Sequence, residues 1–193
     1  TTQIYAGNST SGAYFWGVQQ EAGQFASSYI PTTTGSVART ADSCIRTLGS
    51  EFSATAGTVV VAGRASGGQA VGIGQCVWSL WTDVNNRYTY VRPSASDVAR
   101  LTINNGGVNQ AILDATFTNS ASFKAASAWV ANDFATTING TAVLTDGAGT
   151  LPAVAVLGLG ELGDTSSTMN GHILRFDYWP TRQTNAFLVS AST

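Results

Sequence analysis

The chain has 193 residues, a formal net charge of −2 and only 10% charged residues, whereas an average soluble domain carries roughly 25%. Its nine Lys and Arg residues are scattered, which argues against the basic stripe that nucleic-acid binding needs. Hydrophobicity is too high for disorder, and no apolar run reaches the roughly 18 residues of a membrane-spanning helix. The length fits one domain, or one domain with an appendage.

The N-terminal part differs in character from the rest. An aromatic triplet at 14–16 precedes a stretch over 27–36 that is rich in Ser and Thr and has no periodicity, a composition typical of a linker. We therefore predict an N-terminal strand segment and linker over 1–36 and a main domain over 37–193. Because the chain begins with Thr1 and not Met, we expect a piece of a longer protein. Its first segment would then be the end of a preceding domain or an assembly arm donated to a neighbour.

Most of the remaining sequence alternates short β-branched or aromatic runs with turn residues. Asn139-Gly140 is the strongest turn signal, because this dipeptide favours tight hairpins. Close and regular spacing of strands predicts an all-β antiparallel sandwich or barrel. The predicted strands are 58–64, 76–82, 87–92, 101–103, 110–113, 128–131, 135–138, 142–144, 153–159 and 172–178.

Only the C-terminal tail has a helical pattern. Thr184 is a residue type favoured as a helix N-cap, and it precedes a short apolar run. We predict a short helix whose Phe187 and Leu188 attach the C-terminus to a sheet face.

Two cysteines, Cys44 and Cys76, allow one disulfide at most. Free cysteine is commonly buried, so we favour two small buried side chains over a pair. The single histidine, His172, cannot build a His-based zinc site.

Several segments carry a recurring pattern: 13–23, 28–32 (SYIPT) and 39–42, then 124–126, 129–135 and 138–140, and finally 170–182 (NGHILRFDYWPTR) with 184–186. They resemble, in this order, the WGAQxExG…SYIPT…TRxAD junction, the central hairpin and the closing NGHI…YxP strand of a family of phage tail and virion proteins that carry a concanavalin-like (laminin-G-like) domain. The resemblance implies an antiparallel jelly-roll sandwich in a virion protein, often a tail fibre or spike, that works by attachment. It carries over no catalytic or sugar-binding motif, since the matching positions have structural roles.

Candidate catalytic groups are few. Glu161 and Asp164 form the only close carboxylate pair in a Gly-rich loop, but residues three apart on a strand face opposite sides. A glycosidase needs two carboxyl groups about 5–10 Å apart across one cleft, so we interpret this pair as a solvated loop. His172 is a candidate acid or base within a structural stretch, and no GxSxG motif occurs. We therefore predict that the protein is not an enzyme, with a polysaccharide depolymerase as the alternative.

Turn residues supply candidate ligands for calcium. Asp83, Asn85, Asn86 and the Asn132-Asp133 pair offer the oxygen atoms that Ca²⁺ prefers. Such turns require Asx residues in any case. We therefore predict no metal or cofactor, with calcium as the alternative.

Aromatic residues on the 76–92 hairpin supply the candidate sugar site. Trp78 and Trp81 are three apart on one strand and face opposite sides, so at most one is outward. We predict a platform in which Trp81 acts with a set of polar and aromatic neighbours, the alternative being that the aromatics are core. Trp129 and Trp179 are assigned to the core. The predicted ligand-binding residues are Trp81, Asp83, Tyr88, Tyr90 and Arg92.

The sequence thus favours a phage virion protein of the tail-fibre or spike type that attaches to the host surface by binding glycan. Two alternatives stay open: a structural capsid-decorating or fibre-assembly domain without glycan binding, and a polysaccharide depolymerase. The expected partners are other virion proteins, host glycan and further copies of the chain in a homo-trimer. Nucleic acid and membrane insertion are not expected. The expected location is the virion, which is extracellular once assembled.

Overall fold

The computed structural model describes two compact units of the chain, Thr1–Thr40 and Ala41–Thr193. In the first unit the described residues contain no helix or strand. The Trp16 and Tyr29 rings pack with centroids 5.3 Å apart, and residues 1–11, 13, 21–28 and 33 of the predicted arm lie outside the described residues. The residues that the structure describes are 12, 14–20, 29–32, 34–37, 43–65, 74–92, 98–116, 122–163 and 167–193.

The described part of the second unit contains eleven strands and one helix. The elements are β1 (Ile45–Thr47), β2 (Ala56–Ala65), β3 (Gln75–Asp83), β4 (Asn86–Arg92), β5 (Val98–Asn105), β6 (Val108–Thr116), β7 (Ser122–Val130), β8 (Asp133–Ile138), β9 (Leu144–Asp146), β10 (Val156–Leu159), β11 (Gly171–Trp179) and α1 (Asn185–Ala191).

The strands form two antiparallel sheets. One sheet has the order β1-β10-β3-β4-β5-β6 and the other has the order β11-β2-β7-β8-β9. The two sheets share one apolar core, whose members come from both, so the predicted antiparallel jelly-roll sandwich is confirmed. Among the described residues no helix is long and apolar enough to cross a membrane.

Strand β1 was not predicted, and its sequence shows why. All three of its residues are exposed, so it lacks the alternation of buried and exposed side chains that marks a strand. Among the described strands its partner is β10, in a register that places Ile45 opposite Gly158. β1 therefore exists through its pairing with β10, which is distant in sequence.

The predicted turns have the backbone that their residues favour. Asn139 and Gly140 have φ values of 49° and 68°, and the N–H of Thr141 donates to the carbonyl oxygen of Ile138 at 3.0 Å. Two consecutive left-handed residues match the twist of a tight hairpin. Asn and Gly adopt this conformation at low cost, so these two residues alone were enough to predict the turn.

The core is centred on the Trp129 ring, which is fully buried. Its centroid lies 6.1 Å from that of Trp78 and 4.9 Å from that of Tyr88, both on the opposite sheet. Gly57 is the cross-strand partner of Trp129, and a Cβ there would lie 2.4 Å from Trp129 Cζ2. Trp129 is therefore a core residue, as predicted, and only glycine leaves room beside it.

The C-terminal helix is confirmed. The Thr184 side chain accepts a hydrogen bond from the N–H of Phe187 at 3.2 Å, and Leu188 is fully buried against the sheet. Trp179, predicted in the core, is half-buried and meets Phe187 edge-on with a centroid distance of 5.2 Å. It belongs to a smaller apolar cluster beneath the helix.

The two cysteines are not joined in a disulfide. Cys76 is fully buried, as predicted. The same prediction is wrong for Cys44, which is exposed because it directly precedes the exposed edge strand β1.

Replacing Gly57 by Ala is expected to destabilise the protein. The new methyl group would overlap the Trp129 ring, and overpacking of a core costs about 1–3 kcal/mol. Urea unfolding followed by tryptophan fluorescence measures this loss. The control is Gly147→Ala, since the nearest atom to a Cβ there is 3.9 Å away. Equal stability of the two variants would contradict the packing described.

Alkaline pH is expected to unfold the sandwich through its buried tyrosines. Burial raises the pKa of both Tyr88 and Tyr90, whereas an unfolded phenol ionises near pH 10. Their contribution to stability is therefore complete below about pH 10 and is lost as the pH rises further. As the pH is raised from 8 to 13, the ionisation of these two side chains, followed by phenolate absorbance, should coincide with the loss of β-structure, followed by far-UV circular dichroism. Ionisation of all tyrosines before any loss of dichroism would contradict this expectation.

Candidate functional site

The β3–β4 hairpin is closed by the side chain of Asp83. One of its carboxylate oxygens accepts hydrogen bonds from the backbone N–H groups of Asn85 and Asn86 at 2.8 and 2.9 Å. The Asn86 amide donates to both oxygens at 3.1 Å. The Asn86 side chain, followed by the Asn85 N–H, lowers the pKa of Asp83. The carboxylate therefore holds the turn in shape.

A register shift at the end of this hairpin decides which side chains share its outer face. Asp83 pairs with Asn86, and a regular ladder from there would place Trp81 opposite Tyr88. The ladder instead shifts between Trp81 and Asp83, so that Trp81 pairs with Arg87. A slip of one residue exchanges the two faces of a strand, and such bulges often re-aim a side chain.

The shift explains why part of the predicted sugar platform is wrong. Tyr88 and Tyr90 are each only 1% exposed. The Tyr88 ring packs on Trp129, and the Tyr90 ring stacks on Trp78 with a centroid distance of 6.1 Å. Both tyrosines belong to the core between the sheets and cannot meet a sugar.

The other predicted residues have different outcomes. Trp78 is fully buried while Trp81 is partly exposed, which confirms that only one of the two tryptophans is outward. Trp81 and Asp83 do line a common pocket. The side chain of Arg92 lies outside the described residues.

The pocket has a volume of about 240 Å³. It lies beside the hairpin, and the segment after β10 supplies part of its wall. Gly163 approaches the tryptophan ring so closely that a Cβ there would lie 2.4 Å from Trp81 Cε2, and its φ is 37°. Both observations require glycine at this position. The lining residues are Trp81, Asp83, Val84, Arg87, Leu162 and Gly163.

Four lining residues were missed by sequence reasoning. Arg87 could have been found only from the shifted register, since it becomes the cross-strand neighbour of Trp81. Val84 is in the turn itself. Leu162 and Gly163 are distant in sequence, and no local signal connects them to the hairpin.

Glu161 holds the wall of the pocket in place. It is 2% exposed, and its carboxylate accepts hydrogen bonds from the Ser43 hydroxyl at 2.9 Å and the Cys44 N–H at 2.8 Å. Its own carbonyl accepts from the Ser79 hydroxyl at 2.9 Å. The predicted solvated loop is therefore wrong for Glu161, which is buried by contacts with β3 and the segment before β1. Asp164 lies outside the described residues.

Two residues that line the pocket each carry a buried hydrogen-bond donor without an acceptor. Trp81 Nε1 and Arg87 Nε are buried and have no hydrogen-bond partner among the described residues. Both atoms are closed to solvent, and burial of an unsatisfied donor is costly. The pocket thus combines an indole, two apolar side chains, an arginine side chain and the Asp83 carboxylate that closes the turn.

The calcium candidates have protein donors as partners. Besides the turn contacts of Asp83, Asn132 Oδ1 accepts from the Gly149 N–H at 3.0 Å, and Asp133 Oδ1 accepts from Arg182 at 2.8 Å. The described residues contain no group of three or more His, Cys, Asp or Glu side chains that could hold a metal ion.

His172, the candidate acid or base, lies on the other sheet from the pocket. It is exposed on β11, where its cross-strand neighbour is Arg64. The structure does not bring it together with the pocket residues, which lie on and beside β3 and β4.

The fold is similar to several solved β-sandwiches. The IT-sialidase CBM40 of Ruminococcus gnavus, bound to α2,3 sialyllactose, has a TM-score of 0.60 and 15% identity, covering 73% of this chain and 84% of that chain. The SAP-like pentraxin of Limulus polyphemus has a TM-score of 0.56 and 12% identity, covering 74% and 73%. The binding domain of botulinum neurotoxin DC in complex with SialylT has a TM-score of 0.58 and 11% identity, covering 76% and 37%. No family model and no curated protein matches the chain.

Substitution of Glu161 is expected to loosen the pocket wall. Glu161→Ala removes the hydrogen bonds that the Ser43 hydroxyl and the Cys44 N–H donate to the carboxylate, and a hydrogen bond to a charged group contributes about 1.5–3 kcal/mol. Glu161→Gln keeps an acceptor oxygen and is expected to cost less. Urea unfolding of each variant measures the difference. The control is Glu51→Gln at an exposed carboxylate, and no loss of stability in Glu161→Ala would contradict the assigned role.

Proposed function

We propose that the sandwich binds a glycan on a host-cell surface, as part of a bacteriophage virion protein of the tail-fibre or spike type. The observation that carries sugar binding is the pocket that the Trp81 indole lines together with the Arg87 side chain. The pocket faces away from the core, where a surface sugar can reach it.

The chemistry of this pocket suits a sugar ring. A sugar has apolar C–H groups that pack on an aromatic or aliphatic surface, and hydroxyl groups that need hydrogen-bond partners. Trp81, Val84 and Leu162 supply apolar surface, while Arg87 supplies donors. Binding sites in general combine an apolar lining with a few polar groups that fix orientation.

The volume of the pocket limits the size of what it holds. About 240 Å³ is below the roughly 300–1,000 Å³ of sites for drug-sized ligands. One sugar residue at the end or side of a longer glycan is the proposed occupant.

The fold comparisons support the proposal through architecture. Two of the similar sandwiches were solved with sialylated ligands, the R. gnavus CBM40 and the neurotoxin binding domain. Sandwiches of this architecture therefore serve as sugar-binding domains in other proteins.

The virion role rests on the sequence motifs. The SYIPT segment and the NGHI segment that begins β11 resemble the phage family in combination. The proposed action is attachment without catalysis, and the proposed location is the virion. In support, Glu161 has a positioning role, and His172 is remote from the pocket.

A second candidate, assembly without glycan binding, is favoured by one observation. Tyr14, Phe15, Trp16 and Val18 are each at least 82% exposed. Exposed apolar groups of this kind mark interaction surfaces. Other virion proteins, or further copies of the chain in a trimer, are the proposed partners of this segment.

Glycan binding is tested by applying the full chain to an array of bacterial and animal glycans. The wild-type protein is expected to bind a subset of them. Trp81→Ala is expected to weaken that binding about two- to tenfold, since aromatic contacts contribute about 0.5–1.5 kcal/mol and 1.4 kcal/mol is tenfold in affinity. Circular dichroism establishes that the variant is folded.

Trp16→Ala is the matched control, because Trp16 is an exposed tryptophan of the N-terminal unit. It should leave binding unchanged. A wild-type protein that binds no glycan at millimolar concentration would overturn the proposal and favour the assembly role.

A further inference from the structure

Arg87 differs from most arginines that the structure describes. In four others, a carboxylate of the same chain compensates the charge of the guanidinium. Arg87 has no such ion pair with any residue in the described part of the chain. The four pairs are Arg46–Glu51, Arg100–Asp114, Arg175–Asp177 and Arg182–Asp133.

The described strand neighbours of Arg87 carry no charge. Its cross-strand partners are Trp81 on one side and Asn104 on the other, both uncharged. The acid that lines the same pocket, Asp83, directs its carboxylate oxygens to the amide and N–H groups of the turn. Among the residues that the structure describes, no carboxylate therefore forms an ion pair with the guanidinium.

A carboxylate is the ligand group that fits a guanidinium best. The planar fork of N–H donors binds its two oxygens side by side, and such charge-assisted hydrogen bonds are stronger than neutral ones. A neutral hydroxyl would satisfy one donor and leave the charge uncompensated. The partly buried position of Arg87 reduces the screening of this interaction by water and salt.

We infer that the pocket selects a sugar acid, with the sugar carboxylate bound by the Arg87 guanidinium and the ring in contact with Trp81. This inference rests on the proposed glycan binding at the same pocket and adds the chemical class of the sugar.

The inference is tested with pairs of sugars that differ in the acid group. Methyl β-glucuronide is compared with methyl β-glucoside, and sialyllactose with lactose, by calorimetry and NMR titration of the full chain. Wild-type protein is expected to bind an acid at least tenfold more tightly than its neutral partner, as hydrogen bonds to charged groups imply. Arg87→Gln should remove this preference and leave binding of neutral sugar within about threefold.

Arg64→Gln is the matched control, because Arg64 is an exposed arginine on the other sheet. It should keep the acid preference. Arg87→Lys, which keeps the charge and loses the fork, should retain only part of it. Thermal unfolding of each variant separates a change in the pocket from a loss of folding.

The outcomes separate this inference from the proposed function. Equal binding of acidic and neutral sugars by wild type would overturn the acid preference and leave glycan binding standing. A preference that survives Arg87→Gln would overturn the role of Arg87. Absence of binding to every sugar would overturn glycan binding and this inference with it.

Discussion

The packing of the Trp129 ring between the two sheets is the constraint on which the rest of the sandwich depends. The ring meets Trp78 and Tyr88 on the opposite sheet, and Gly57 leaves space for it on the neighbouring strand. A large rigid ring fixes the distance between the sheets, because a close-packed interior cannot absorb a change of its volume. It thereby fixes the inner faces of β3 and β4.

The outer face of the same two strands carries the pocket. Since the inner side chains of β3 and β4 are held in the core, Trp81 and Arg87 are presented from rigid elements, which hold a site more precisely than loops do. The loop that completes the pocket is held by the buried carboxylate of Glu161. Stability of the core and shape of the pocket are therefore linked through two strands.

The small number of charged residues in this chain makes the arginine in the pocket, Arg87, informative about a ligand. With only 10% charged residues, the chain has few groups that could act as incidental partners. Among the described residues, four arginines have carboxylate partners, whereas Arg87 lies beside Trp81 without one. A ligand that brings a carboxylate compensates this charge.

The sequence by itself determined the features that depend on neighbours along the chain. The Asn139-Gly140 turn, the hairpins and the Thr184 helix cap were all predicted, because turn and cap geometry depends on a few adjacent residues. Tertiary structure alone decided three others: the edge strand β1, the burial of Glu161 and the register shift that turned Tyr88 inward and joined Trp81 to Arg87. Each of these depends on contacts between segments distant in sequence, which leave no local pattern to read.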